Sequence, residues 1–460
     1  MRSGSWVVDV DRVGGEDRGQ TSSIRPVIVS SFIGTTIEWY DFFLYGTAAA
    51  LVFNQLFFPT FDPLAGTLAA FATYAVGFAA RPLGGIVFGH YGDKIGRKAM
   101  LVLALLIMGI ATFFIGLLPT YESVGVLAPI LLVTLRFIQG IGIGGEWGGA
   151  VLMAVEHSPP GRRGFYGSWP QMGVPAGLLL ANLVFFATST YIPEEQFLAW
   201  GWRIPFLVSI VLVGVGLFIR LRLLETPAFQ QVQESGTEAN MPIIDVLRTY
   251  PKQVLLAMGM RVAENGTFYV STVFVLTYVA GQLGMEQNTG LVGVLIAATI
   301  GLFTTPLFGA LSDRLGRRRV YLFGAVFSLI FAFPFFWMLN TASPVLIWLA
   351  IIVAVNIGHD AMYGPQAAYF SELFGTRVRY SGASLGYQLA SVFAGGLAPL
   401  IATALLGYYG YVAVALYIAA MALITVVATY LAAETFQGDI FEDHAQERQL
   451  IAESQGSSQA

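Results

Sequence analysis

The sequence contains no cysteine and only four histidines among 460 residues. The absence of cysteine excludes disulfides, thiolate metal sites and iron–sulfur clusters, and it leaves the redox compartment unassigned. Charge is scarce too, since Asp, Glu, Lys and Arg make up 11% of the chain, against about 25% in an ordinary soluble domain. The net charge of −4 is too small to indicate nucleic acid or another polyanion as a partner. A chain with so few charges cannot cover the surface of a soluble enzyme.

What fills the sequence instead is apolar. Hydrophobic residues make up 56% and aromatic residues 14% of the chain, and the mean hydropathy is +0.68. This composition excludes a disordered or collagenous chain and favours a polytopic membrane protein in a lipid bilayer. Twelve apolar stretches are long enough to cross about 30 Å of hydrocarbon as helices. We predict helices at about 26–53, 64–90, 99–119, 125–156, 164–190, 201–221, 253–282, 288–312, 320–339, 344–371, 380–406 and 409–432.

These stretches predict two groups of six helices. We expect a tail at 1–25, a first bundle at 26–222, a polar central loop at 223–250, a second bundle at 251–433 and a tail at 434–460. An even number of crossings places both termini on one side. Of the 24 Lys and Arg residues, 20 fall in the tails and in the loops of that side. By the positive-inside rule, both termini are therefore expected to be cytoplasmic, with the protein in the inner (plasma) membrane.

The two halves contain a repeated loop. GHYGDKIGRK begins at Gly89, and GALSDRLGRR begins 220 residues later at Gly309, after the second helix of each half. A repeat at equivalent places predicts two pseudo-symmetric six-helix bundles. The loop resembles the signature of the major facilitator superfamily.

Further motifs resemble the metabolite–proton symporter family within that superfamily. They are GTTIEWYDFFLYG from Gly34, RPLGG from Arg81, RFIQGIGIGGEWGGA from Arg136, WGWRIPF from Trp200, ETPAF from Glu225 and SELFGTRVRYSGASLGYQ from Ser371. The run 357–360 is most similar to the branch of shikimate-type transporters. The resemblance implies an all-α major facilitator fold and a secondary transporter rather than an enzyme. It also implies no cofactor, with the proton gradient as the driving force.

Asp93 and Arg97 are one helical turn apart in the first copy of the loop. A carboxylate beside arginines can form a cluster in one bundle arrangement and lose it in the other. The alternative is a simple positive-inside anchor with turn glycines. The resemblance implies a cytoplasmic gate of Gly89, Asp93, Arg97 and Lys98 in the first half, with Asp313 and Arg317 as its weaker copy.

Helix 1 carries Glu38 and Asp41, three residues apart, and Tyr45 one turn later. Acidic side chains are costly in a bilayer, so we expect them to face a wet cavity and a cationic partner. Helix 4 supplies one candidate for that partner, Arg136. Movement of Arg136 toward or away from the carboxylates would load or release a proton. A permanent structural ion pair is the alternative. Similarity to proton-coupled relatives implies Asp41, more than Glu38, as the proton site.

Other polar and aromatic residues on the predicted helices are candidates for the walls of a substrate cavity. The set is Tyr45, Gln139, Trp147, Gln171, Glu264, Tyr269, His359, Asp360, Tyr363 and Gln388. For Trp147, packing in the protein core is an equal alternative. His359 has no cysteine or second histidine nearby, so no metal site is predicted. Structural hydrogen bonding, substrate contact and proton relay remain open for it. Gly140, Gly144 and Gly148 are four residues apart and predict close packing on a neighbouring helix.

The substrate is expected to be a small organic acid, taken up with protons by a monomeric protein. The resemblance to shikimate-type transporters favours a shikimate-like acid. Arg136 supplies a fixed positive charge for a carboxylate. Three alternatives remain: a zwitterion such as proline or betaine, a sugar, and a sensor built on a transporter fold. The short loop and tails disfavour the sensor because they cannot hold an output domain.

Overall fold

The computed structural model describes residues 24–95, 97–144, 147–156, 158–159, 161–222, 242–374 and 379–436. Within these ranges the chain is helical and contains no β-strand. Long helices appear at each of the twelve predicted positions, and their bounds differ from the predicted ones by five residues or fewer. The first six are α1 (Ile24–Leu51), α2 (Pro63–Ile95), α3 (Arg97–Leu117), α4 (Leu127–Ile143 and Trp147–Glu156), α5 (Arg163–Gln171 and Gly173–Tyr191) and α6 (Ile204–Arg222).

The helices of the second half are less regular, because three of them contain π-helical segments. These are α7 (Pro251–Tyr269, then Val270–Phe274 π, Val275–Thr277 and Tyr278–Gln282 π), α8 (Gln287–Leu315), α9 (Arg317–Leu339), α10 (Pro344–Val353, Ala354–His359 π and Asp360–Glu372), α11 (Arg379–Ala390, Ser391–Gly396 π and Ala398–Tyr409) and α12 (Tyr411–Leu431). π-Bulges occur often at functional sites. The sequence patterns did not predict them.

Short helices fill several connections between the long ones: Phe53–Phe57, Tyr121–Val124, Glu194–Ala199, the 3₁₀ turn Gly201–Arg203 and Pro242–Thr249. The last corrects the prediction that 223–250 is a loop throughout. Pro242–Thr249 is too short and too polar to be predicted as a membrane-spanning helix. It nevertheless buries Val246 and packs on the start of α7 and α11. Residues 223–241 lie outside the described ranges.

Length and composition agree with a membrane location for these helices. Among the described residues, eight helices are long and apolar enough to span a bilayer, and Val102–Leu117 and Leu127–Ile143 are shorter apolar helices. The remaining two, α1 and α7, have the length of a membrane helix but contain buried ionisable side chains. Buried ionisable side chains in membrane helices mark expected functional sites, and α1 and α7 are two of the helices that carry them.

Packing between helices sets the positions of the buried charges. The halves meet where α5 contacts α8 and α10, and where α2 contacts α11. Inside the first half, α2 and α4 approach closely: a Cβ on Gly140 would lie 2.8 Å from the Ala80 side chain, and one on Gly144 would lie 2.7 Å from the Gly85 nitrogen. The predicted close packing of Gly140 and Gly144 is confirmed. Gly148 lies outside the described side chains.

Candidate functional site

A cavity lies between the two halves. The cavity is nearly closed in this arrangement, with a free volume of about 20 Å³. Residues from α1, α2, α4, α5 and α11 line it: Thr35, Glu38, Trp39, Arg81, Ile143, Trp147, Ala150, Val151, Pro170, Tyr387 and Gln388. Of the predicted cavity residues, Trp147 and Gln388 are therefore at its wall, and Glu38 joins them. The walls combine one arginine, one carboxylate and stacked aromatic rings.

Two arginines are buried in the first half beside one shared ring. The guanidinium carbon of Arg81 is 4.2 Å from the ring centre of Phe42, and that of Arg136 is 4.4 Å from the same ring. Arg136 also lies 4.2 Å from the ring of Tyr45. Both arginines are at most 1% exposed. Cation–π contacts stabilise these charges in part, but neither arginine has a carboxylate partner among the described residues.

The hydrogen bonds of these arginines are incomplete. Arg136 donates to Gln139, which in turn donates to the Thr112 hydroxyl at 2.7 Å. Within the described part of the chain, Nε and Nη2 of both Arg81 and Arg136 are buried without a hydrogen-bond partner. A guanidinium group has five N–H donors, so each arginine retains unused donors. A glycine at position 77 makes room for Arg136, because a Cβ there would lie 2.8 Å from the guanidinium carbon.

Asp41 does not pair with Arg136, contrary to the expectation from sequence. The Asp41 side chain is fully buried, and no described residue hydrogen-bonds either of its carboxylate oxygens. No ion pair joins Arg136 to Glu38 or Asp41 among the described residues. The sequence places Asp41 and Arg136 in the membrane, but it does not fix which way each side chain leaves its helix. A role for Asp41 in proton coupling stays a prediction.

The buried charges of the second half, in contrast, are paired. Arg261 Nη1 lies 2.6 Å from Glu264 Oε2 and donates to Gln366 Oε1 at 2.8 Å. His359 Nε2 lies 3.2 Å from Glu264 Oε1, and His359 Nδ1 lies 2.9 Å from Asp360 Oδ1. Glu264, His359 and Asp360 were predicted as cavity walls, whereas the structure places them in this network and away from the lining of the cavity described above.

The remaining predicted residues connect the two regions. Trp147 stacks on Tyr387 with ring centres 3.7 Å apart and donates to Gln171 at 3.1 Å. Gln171 donates to the backbone oxygen of Tyr363 across the interface between the halves. The ring of Tyr363 stacks on His359 at 4.9 Å. Tyr269 of α7 packs on Phe42, the ring shared by the two arginines, and on Phe43, Tyr74 and Phe78.

The second copy of the repeated loop joins the halves at the side where α12 ends. Asp313 accepts hydrogen bonds from the Gly164 and Phe165 amides at 2.8 Å each, so it caps the start of α5. Arg317 holds Asp313 at 2.7 Å and Glu372 at 3.3 Å. These contacts have the geometry of a latch between the halves. In the first copy, Gly89, Asp93, Arg97 and Lys98 lie outside the described side chains.

Comparison with known proteins identifies the fold. A family model of the Major Facilitator Superfamily matches residues 31–395. The chain belongs to the major facilitator superfamily. The family predicted from the repeated loop is thereby confirmed, and the protein is a multi-pass membrane transporter rather than an enzyme.

Curated relatives within the superfamily transport small metabolites. The chain is 45% identical over 414 residues to the shikimate transporter of Escherichia coli K12, covering 89% of this chain and 94% of that protein. It is 43% identical over 420 residues to the inner membrane metabolite transport protein YhjE of the same organism, covering 90% and 95%. The proline/betaine transporter of E. coli K12 is 37% identical over 389 residues, which cover 82% of this chain and 77% of that transporter.

Solved structures show the same major facilitator fold. The proton:xylose symporter XylE, solved with 6-bromo-6-deoxy-D-glucose bound, superposes with a TM-score of 0.69 at 18% sequence identity. The superposition covers 90% of this chain and 96% of XylE. The likeness concerns the fold, since the identity is low.

Several site residues escaped the sequence analysis. Arg81 falls inside the predicted span 64–90. A charged residue within an apolar membrane helix was a sufficient signal of a functional position. Tyr387 stacks on Trp147 and also lies under Arg261, 3.2 Å from its guanidinium carbon. No spacing rule predicts such a contact, because the partners lie on three different helices.

Proposed function

We propose that the protein takes up a small organic acid together with protons by alternating access. The expected location is the inner (plasma) membrane with cytoplasmic tails. The observation that carries the proposal is the pair of buried arginines in the first half, Arg81 and Arg136, with unused donors. Burying a charge is costly unless it is paired and hydrogen-bonded. A substrate carboxylate supplies both the missing charge and the missing acceptors.

The residues that line the cavity favour a small ring acid, which would enter when the halves rock apart and the cavity widens. Arg81 lies at its wall, and the stacked rings of Trp147 and Tyr387 give a flat apolar surface. The carboxamide of Gln388 and the carboxylate of Glu38 at the same wall are partners for hydroxyl groups. A hydroxylated ring carrying one carboxylate matches these three features. The similarity to a shikimate transporter supports the same substrate class.

A zwitterion such as proline or betaine is the second candidate. The cavity that contains Arg81 also contains Glu38 and the aromatic rings of Trp39 and Trp147. An ammonium group is attracted to aromatic faces and to a carboxylate, so both charges of a zwitterion would find a partner. The relatives that carry proline and betaine keep this candidate open.

Proton coupling is proposed through Asp41. A carboxylate buried without a partner is costly when ionised, and protonation removes that cost. Asp41 therefore holds a proton in the arrangement described here and releases it when the halves rock and water reaches it. Because no arginine neutralises Asp41, its charge depends on the proton alone.

Uptake into proteoliposomes tests this function. Purified protein is reconstituted, and radiolabelled shikimate uptake is measured with and without an imposed pH gradient, acidic outside. We expect accumulation that requires the gradient and is blocked by related ring acids. Unlabelled proline, betaine and xylose serve as competitors. Stronger competition by proline or betaine would favour the zwitterion, and stronger competition by xylose would contradict the anion proposal.

A further inference from the structure

His359 lies between two carboxylates in the second half. Its Nε2 atom is 3.2 Å from Oε1 of Glu264 on α7. Its Nδ1 atom is 2.9 Å from Oδ1 of Asp360, the next residue on α10. All three residues are buried, none more than 3% exposed. Both ring nitrogens therefore face an oxygen that, in an ionised carboxylate, can only accept a hydrogen bond.

This geometry sets the number of protons in the group. A neutral imidazole carries hydrogen on one nitrogen and a lone pair on the other. If His359 were neutral and both carboxylates were ionised, one contact would bring a lone pair against a carboxylate oxygen. Such a contact is repulsive, and burial strengthens the repulsion because no water separates the atoms. The group formed by Glu264, His359 and Asp360 therefore holds one proton more than a neutral histidine with two ionised carboxylates.

The surrounding donors place that proton on the histidine ring. Glu264 Oε2 faces Arg261 Nη1 at 2.6 Å and accepts from Gln366 Nε2 at 3.0 Å. Asp360 Oδ2 accepts from Asn356 Nδ2 at 3.1 Å and also from the Thr304 hydroxyl. Donors aimed at a carboxylate stabilise its ionised form. Both carboxylates are thus held as anions, and the remaining position for the proton is the imidazole.

The charges in this region balance only with the proton present. Arg261 and a protonated His359 together offset Glu264 and Asp360, whereas a neutral His359 leaves one net negative charge in a low-dielectric interior. Among the described residues, the titratable side chains that face the group from the packed helices are Arg261, Glu264 and Tyr269 of α7, Tyr321 of α9, Asp360 and Tyr363 of α10 and Tyr387 of α11. On α8, Thr304 contributes a hydroxyl.

We propose that His359 is an imidazolium that carries a coupling proton of the second half, independent of Asp41. The inference rests on the proposed proton-driven transport and adds a second proton to it. His359 is the last residue of the π segment Ala354–His359. A change of this segment to regular α geometry rotates His359 relative to α7 and removes Glu264 from the ring. Once Glu264 no longer contacts the ring, the imidazolium of His359 loses one of its two carboxylate partners and releases the proton.

The protonation state can be measured without disturbing the group. The full chain is prepared with its other three histidines, His90, His157 and His444, replaced by glutamine, labelled with ¹⁵N-histidine and reconstituted in lipid. At about pH 8, where an isolated histidine is neutral, we expect the ¹⁵N shifts of a ring protonated on both nitrogens. A ring with one bare nitrogen at this pH overturns the proposal. This measurement needs no substrate, so an error in the proposed function would not affect it.

The transport role has its own test. At one unit of pH difference, each coupled proton multiplies the equilibrium accumulation of substrate about tenfold, since one pH unit corresponds to about 1.4 kcal/mol per proton. We therefore expect H359Q to lower the accumulation ratio about tenfold per pH unit while counterflow exchange persists. Trp348→Phe is the control. Trp348 lies on the same helix but donates a hydrogen bond to the backbone oxygen of Thr289, so this variant should accumulate substrate normally. Wild-type accumulation by H359Q overturns the proposal.

Discussion

Among the described residues, the two halves bury similar numbers of charged groups, but those of the first half lack partners whereas those of the second half are paired. In the first half, Asp41, Arg81 and Arg136 have charged atoms without hydrogen-bond partners among the described residues. In the second half, Arg261 and Glu264 form part of a continuous network that reaches His359 and Asp360. A paired network stabilises its helices, whereas unpaired buried charges need a ligand or a proton. We infer that the first half binds the substrate and that the network of the second half stabilises a proton.

Removing a carboxylate from the paired half should have the largest effect on stability. Glu264→Gln leaves Arg261 uncompensated in a buried site and should lower the free energy of unfolding by about 3 kcal/mol. Thermal unfolding in detergent measures the loss. The control is Glu286→Gln, an exposed residue at the start of α8, which should change stability little. Equal stability of the two variants would show that the network does not stabilise the folded protein.

Removing an arginine from the unpaired half should affect substrate affinity more than stability. Arg136→Gln removes a charged hydrogen-bond donor, and we expect a loss of about 2 kcal/mol in binding, or roughly 30-fold in Kd. Isothermal titration with a carboxylate substrate gives the value. Arg203→Gln is the matched control, because Arg203 already donates to two backbone oxygens, those of Gly116 and Leu118. An unchanged Kd for Arg136→Gln would remove this arginine from the substrate site.

Asp41→Asn should change stability by less than about 1 kcal/mol, because no cation is left unpaired. It mimics the protonated carboxyl group, so substrate binding and counterflow exchange should survive while accumulation driven by a pH gradient falls. Exchange and pH-driven uptake are measured on the same liposomes. Glu38→Gln is the comparison, expected to slow transport but keep its proton dependence. Full pH-driven accumulation by Asp41→Asn would exclude Asp41 as a proton carrier.

The two copies of the loop offer a smaller contrast. We expect Asp93→Asn to impair transport more than Asp313→Asn, because the first copy matches the superfamily pattern more completely. Asp313→Asn weakens the cap on α5 and the pair with Arg317, which should weaken the contact between the two halves by about 1.5 kcal/mol. Initial rates of uptake compare the variants. Equal losses would contradict an unequal division of the gate between the two loops.

The sequence predicted the membrane helices because hydropathy and length alone determine a span. It also identified Asp41, Arg136, Glu264 and His359 as residues worth attention, since ionisable groups are rare in such helices. It did not predict their partners. Depth in the membrane follows from position along the chain, but the direction of a side chain depends on how helices rotate and pack. The expected pair of Asp41 with Arg136 failed for this reason.

Packing also explains which residues were missed. The place of Arg81 beside Phe42 depends on the close approach of α2 and α4 at Gly140 and Gly144. The π segment before Asp360 changes the angle at which His359 leaves α10. Both effects arise from contacts between helices that are far apart in the sequence. A periodicity within one helix carries no information about them.

The central claim is that the unpaired arginines of the first half receive a substrate carboxylate. The most direct test compares the binding of shikimate with that of its neutral amide by isothermal titration, for the wild-type protein and for an Arg81→Gln, Arg136→Gln double variant. We predict that the acid binds the wild-type protein at least about 30-fold more tightly than the amide. The difference should vanish in the double variant. Equal affinity of acid and amide for the wild-type protein would contradict the account.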